Sequence, residues 1–72
     1  MGKAELGKVG KLVLDALKRS KRPLSTYEVA KLLNISWSTA NTHCYIMKSL
    51  GIVDSKNEET KVGMKRMVWW AK

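Results

Sequence analysis

The sequence predicts a small α+β fold: three helices and a C-terminal β-hairpin, in the order α1-β1-α2-α3-β2-β3. Three observations carry this. Apolar residues recur at helical spacing through the first two thirds of the chain, with breaks at Arg22-Pro23 and at Asn34-Ile35-Ser36. After Gly51 the period changes to two, and Ile52-Val53 opens an extended stretch. Between Tyr27 and Leu50, two helices are joined by a turn of three residues. That spacing makes a helix-turn-helix, whose second helix is the element that enters the DNA major groove.

The first helix should run from about Glu5 to Arg19, with residues 1–4 frayed. Leu6, Val9, Val13, Ala16 and Leu17 form its core stripe, and Gly10 lies in the same stripe. Gly10 costs about 1 kcal/mol relative to Ala, so its use points to close helix approach. Lys8, Lys11, Asp15, Lys18 and Arg19 face away, and Lys11–Asp15 and Asp15–Arg19 are i,i+4 pairs. Leu12 and Leu14 flank the stripe on opposite sides and make the apolar band wider than one small core needs. They either lie beneath the hairpin or form a dimer contact.

Pro23 ends the helical path by disfavouring a helical Arg22. Leu24 can form a one- to three-residue strand paired with the hairpin. Ser25-Thr26-Tyr27-Glu28 fits a capping box for the second helix, in which Val29, Ala30, Leu32 and Leu33 bury. Ser36 caps the recognition helix, about residues 37–50. At about 100° per residue, Ala40, His43, Cys44, Met47 and Leu50 share its inner side. Ser38, Asn41, Thr42, Tyr45 and Ser49 share the outer side, and Lys48 lies at the border. Ile52 to Lys56 reads as one strand, Asn57-Glu58-Glu59-Thr60 as a polar tip, and Lys65 to Ala71 as the returning strand. Together they make a wing of about residues 52–71.

The stretch resembles the winged helix-turn-helix regulators, in the broad group of arsenical-resistance-type and multidrug-resistance-type repressors. The resemblance rests on Val29-Ala30, Leu33, Ile35-Ser36, Ser38-Thr39, His43 and the exit Leu50-Gly51-Ile52-Val53, and it spans roughly residues 24–70. It implies a DNA-binding transcription regulator of prokaryotic, archaeal or archaeal-viral type. Three positions depart from the group. Asn34 stands where Gly is commoner, Ala40 where a branched apolar residue is usual, and Trp37 where many members carry a basic residue. Asn tolerates the left-handed backbone needed at position 34.

The chain's own residues suggest where DNA would sit. Trp37, Ser38, Asn41, Thr42 and Tyr45 are candidate base-facing residues. Short polar side chains offer donors and acceptors to base edges without long stems. Lys21, Arg22, Ser36, Lys48, Lys61, Lys65 and Arg66 are candidate phosphate contacts. Ser36 enters because the first-turn amides of the recognition helix can hold a phosphate. Glu58 and Glu59 at the wing tip would oppose its deep insertion into a groove, leaving the hairpin sides for contact.

Composition narrows the remaining classes. Seventy-two residues allow one domain, 1–72, with a thin core worth about 3–5 kcal/mol. The net charge of +8 and pI near 9.9 favour a polyanion, here double-stranded DNA. Lysine abundance without Phe or Gln points to a heat-adapted source. One Cys excludes an internal disulfide and a cysteine-based zinc site. No membrane-span stretch or signal-peptide core is visible, so the expected place is the cytoplasm. Cys44 reads as a core thiol and His43 as a structural or phosphate-contacting residue, and of Trp69 and Trp70 one should be buried. No nucleotide-binding glycine loop, carboxylate pair or nucleophile–base pair is present. The expectation is a non-enzymatic homodimer with no cofactor, no metal and no evident small-molecule ligand. The alternative is a winged helix used for protein interaction or assembly, or as a non-specific architectural nucleic-acid binder.

Overall fold

Every element follows in the expected order in a computed structural model that describes residues 7–72. The helices are α1 (Gly7–Arg19), α2 (Thr26–Leu33) and α3 (Trp37–Ser49). The strands are β1 (Leu24–Ser25), β2 (Val53–Glu59) and β3 (Lys65–Ala71), in an antiparallel sheet ordered β1-β3-β2. The expected start at Glu5, the fraying of residues 1–4 and the packing of Leu6 lie outside the described residues.

Local chemistry sets the boundaries. α1 ends with Lys18 and Arg19 in its last turn, where cations suit the helix dipole. Asp15 bonds Arg19 at 3.0 Å, one of the two expected i,i+4 pairs. The Ser25–Glu28 capping box is closed on both sides. Ser25 Oγ accepts from the Glu28 N–H at 3.1 Å, and the Ser25 N–H donates to Glu28 Oε1 at 2.8 Å. Asn34 ends α2 at φ 57° and ψ 47°, the left-handed cap expected of it. Ser36 Oγ accepts from the Thr39 N–H at 3.1 Å and starts α3.

The core gathers Val13 and Leu17 of α1, Val29 and Ala30 of α2, and Ala40, Cys44 and Met47 of α3 around Trp69 of β3. Trp69 is the buried member of the tryptophan pair, and its indole N–H donates to Thr26 Oγ1 at 2.9 Å. That bond lets a large aromatic bury without stranding its polar atom. Gly10 is buried in α1, in keeping with its place in the stripe.

Three expectations are corrected. Leu32, expected to bury, is 63% exposed. It lies about 60° outside the arc of Val29, Leu33 and Ala30, and a two-turn helix has too little surface to wrap around it. Leu50 is 42% exposed, because the helix stops at Ser49 and Leu50 falls at the edge of the inner arc. The wing tip is not Asn57–Thr60. β2 continues to Glu59, with Glu58 opposite Arg66 and Glu59 opposite Lys65, and the chain turns over Thr60–Met64. Opposite charges facing each other across the ladder favour strand over turn. Gly63, at φ +84°, takes the left-handed position that the real turn requires.

The surplus leucines of α1 separate. Leu14 packs partly on the core, whereas Leu12 is 49% exposed. Leu12 borders a groove between α1 and α2 with Leu24, Leu32 and Leu33, so it does not lie beneath the wing.

Candidate nucleic-acid interface

α3 presents two chemically different sides. Ala40, Cys44 and Met47 are fully buried, and burial pushes the Cys44 thiol up to about 12, which leaves it an unreactive core residue. His43 is half-buried beside them. On the opposite side Ser38, Thr42 and Tyr45 are exposed and Asn41 is half-exposed. Four of the five expected base-facing residues therefore lie on one accessible face. The fifth, Trp37, is 54% exposed at the start of the helix.

The wing borders this face. Tyr45 meets Trp69 edge-to-face, with ring centroids 4.9 Å apart, so its ring is anchored from beneath. Lys48 Nζ donates to Ser55 Oγ at 2.8 Å, which ties the end of α3 to β2 and fixes the direction of that ammonium. Trp37 shares a groove with Thr26, Tyr27, Lys65, Arg66 and Met67. α3 thus runs from an aromatic and basic groove at its start to a lysine at its end.

The other expected phosphate contacts fall into three settings. Lys21, Lys61 and Lys65 are exposed and in no ion pair among the described residues. Arg22 and Arg66 each hold a carboxylate. Arg22 bonds Glu28 at 2.8 Å, and Arg66 bonds Glu58 through two nitrogens at 3.0 and 3.1 Å. The Arg22 bond, followed by the Ser25 N–H, holds Glu28 down at about 2, and Glu28 in turn raises Arg22. Ser36 is committed to its cap and to Thr39 Oγ1 at 2.8 Å. Lys65 and Arg66 adjoin Trp37, whereas Lys21 and Arg22 line a separate groove with Lys56 and Trp70. The structure does not gather all the basic candidates around α3.

The wing tip also differs chemically from its expectation. It reads Thr60-Lys61-Val62-Gly63-Met64, with Val62 80% and Met64 67% exposed. The acidic residues lie lower, one strand position apart and on opposite sides of the ribbon. The tip itself therefore carries no acid that would oppose its entry into a groove. Sequence reasoning also missed the grouping of Lys56 with Trp70. Strand alternation could have found it once the turn was placed correctly.

Among the described residues, no group of three His, Cys, Asp or Glu side chains could hold a metal ion. No helix among them is long and apolar enough to cross a membrane.

No protein-family model matches the chain, and no curated protein matches it. Among solved structures, it is similar to a possible transcriptional regulator from Methanosarcina mazei Go1, with a TM-score of 0.80 at 15% identity. The match covers 90% of this chain and 55% of the other, so the chain spans little more than half the length of that protein. At that identity the likeness establishes the fold, which is that of a winged helix.

Proposed function

We propose that the chain is a sequence-specific double-stranded DNA-binding transcription regulator. In this reading residues 1–72 act as one winged-helix domain, α3 enters the major groove, and Lys61 and Lys65 of the wing meet the phosphate backbone. The observation that carries it is the exposed face of Ser38, Asn41, Thr42 and Tyr45, set directly opposite the buried Ala40, Cys44 and Met47. A general architectural binder would place lysines on such a face, and a protein-docking helix would place leucines there. Short amide and hydroxyl side chains suit bonding to base edges. The net charge of +8 supplies the attraction that any duplex would feel. The reading extends to a homodimer on a palindromic site, working in the cytoplasm.

The test is selection of a preferred duplex from random pools, followed by gel shift of Asn41→Ala. Asn can bond both N6 and N7 of adenine, so its loss should cost about 1–3 kcal/mol on the preferred site. Binding to unrelated duplex and the thermal midpoint should change little. Cys44→Ala is the control, lowering stability while leaving base preference intact. If Asn41→Ala keeps the parent's ratio of preferred to random binding, α3 is not reading bases, and the architectural or protein-docking reading takes its place.

A further inference from the structure

The groove holding Trp70 lies outside the surface described above. Strand alternation turns Trp70 to the face of β3 opposite Trp69, and Trp69 is the residue that packs against Tyr45 of α3. The groove has a volume of about 580 Å³, the size of a small-ligand site. Three separate parts of the chain converge on it. Lys18 comes from the last turn of α1 and Lys21 from the loop that follows, Lys56 from β2, and Lys72 from the end of the chain. None of these four lysines is in an ion pair among the described residues. Arg22 also lines the groove, but Glu28 holds it. The acid opposite Trp70 in the ladder, Asp54, accepts a bond from the Ser55 N–H at 2.8 Å and does not line the groove.

A convergence of unpaired lysines on a half-buried indole has a specific chemical complement. Lysines alone would suit any phosphate. An indole offers a flat apolar face, which attracts a ring. Basic grooves that combine lysines with aromatic faces bind nucleotides by stacking the base and neutralising the phosphate. We infer that this groove is a second anion site that takes one nucleotide unit, its base stacked on Trp70 and its phosphates on Lys21 and Lys56, independent of duplex binding by α3. The unit is supplied either by a free nucleoside triphosphate or by an unpaired nucleotide of a single strand.

The three tryptophans give the site its own readout, because each indole N–H has a separate magnetic resonance signal. Trp37 reports the start of α3, Trp69 the core and Trp70 this groove. ATP, and separately a thymidine hexamer, would be titrated into the full chain at low salt, with inorganic triphosphate as the ring-free control. The Trp70 signal should move while Trp37 stays in place, and triphosphate should bind at least tenfold more weakly than ATP. Lys21→Ala with Lys56→Ala should weaken ATP about tenfold or more and lower the hexamer's salt slope by about 0.7 per lysine. Trp70→Phe should retain most of the binding and Trp70→Leu should lose it. A hexamer much tighter than ATP identifies the strand as the source, and equal or weaker binding identifies the free nucleotide. Triphosphate binding as tightly as ATP, Lys21 and Lys56 variants unchanged, or a shift confined to Trp37 would each overturn the assignment. Asn41→Ala should leave ATP binding intact, which separates failure here from failure of duplex reading.

Discussion

One carboxylate, Glu28, closes the α2 capping box and holds Arg22 in the loop before it. A group with two such partners resists protonation. Its folded value of about 2 lies below its ordinary 4.5, so the unfolded chain binds the proton more readily. The sign follows from linkage: this contribution is complete above about pH 4.5 and is lost as pH falls towards 2. Because the pair lies at the surface, solvent screening leaves its contribution well below what the shift of Glu28 alone would imply. Thermal midpoints between pH 7 and pH 2 should show the parent losing stability in acid. Glu28→Gln should start lower at pH 7 and lose less over the same range. Parallel curves for the two proteins would mean that Glu28 carries none of the acid sensitivity. Asn34 supports a second prediction. It holds φ 57°, where a Cβ with no local hydrogen-bonding group is penalised. Asn34→Gly should be neutral or slightly stabilising, and Asn34→Ala should cost about 1 kcal/mol. Chemical denaturation measures both, and an Ala variant as stable as the Gly variant would show that the cap carries no strain.

Helices were more legible than the hairpin, for a physical reason. A helix is specified locally: the Ser25–Glu28 box, the Asn34 cap and the Ser36 cap each bond within about four residues, so each could be read from the sequence. The order of elements and the pairing of Leu24 with the wing also followed from local breaks and apolar runs. The hairpin register depends on where the chain turns, and Asn57-Glu58-Glu59-Thr60 looks like a turn when read alone. Its acids are strand residues because Arg66 and Lys65 face them across the ladder, a pairing that exists only once the strands have met. Placing the turn too early would have brought Lys56 next to Lys61, hiding its shared face with Val68 and Trp70. The polar face of α3 was readable, since helical phase alone sets it, but the association of Trp37 with Lys65 and Arg66 was not. The corrected wing carries its own prediction. Lys61 lies in a tip without acids and Lys65 begins the strand beneath it, opposite Glu59, so Lys61→Ala and Lys65→Ala should each flatten the salt dependence of duplex binding by about 0.9 in log–log slope. The loss should be equal on preferred and random sequences, because phosphate contacts do not read bases. An unchanged slope would remove the wing from the duplex interface.

At the scale of the whole molecule, the polar α3 face and the leucine groove place different demands on the chain. A 72-residue domain buries a small core, and this one leaves Leu12 and Leu32 exposed on the two walls of a groove between α1 and α2. Single exposed leucines need no explanation, but two that face a common groove floored by Leu24 and Leu33 form a patch. A second copy of the chain would cover it and would present two recognition helices to one duplex. Two half-sites about one helical turn apart would then be read together. Sedimentation equilibrium at micromolar concentration should therefore give about twice the 8.1 kDa chain mass. Leu12→Glu with Leu32→Glu should return the monomer mass while keeping helical content, because neither side chain belongs to the buried core. The same variant should lose its preference for a palindrome over a half-site while Asn41 still discriminates bases within each half. A parent that stays monomeric up to millimolar concentration and binds one unpaired half-site would rule out the dimer, and the groove would then be only the exposed margin of a thin core.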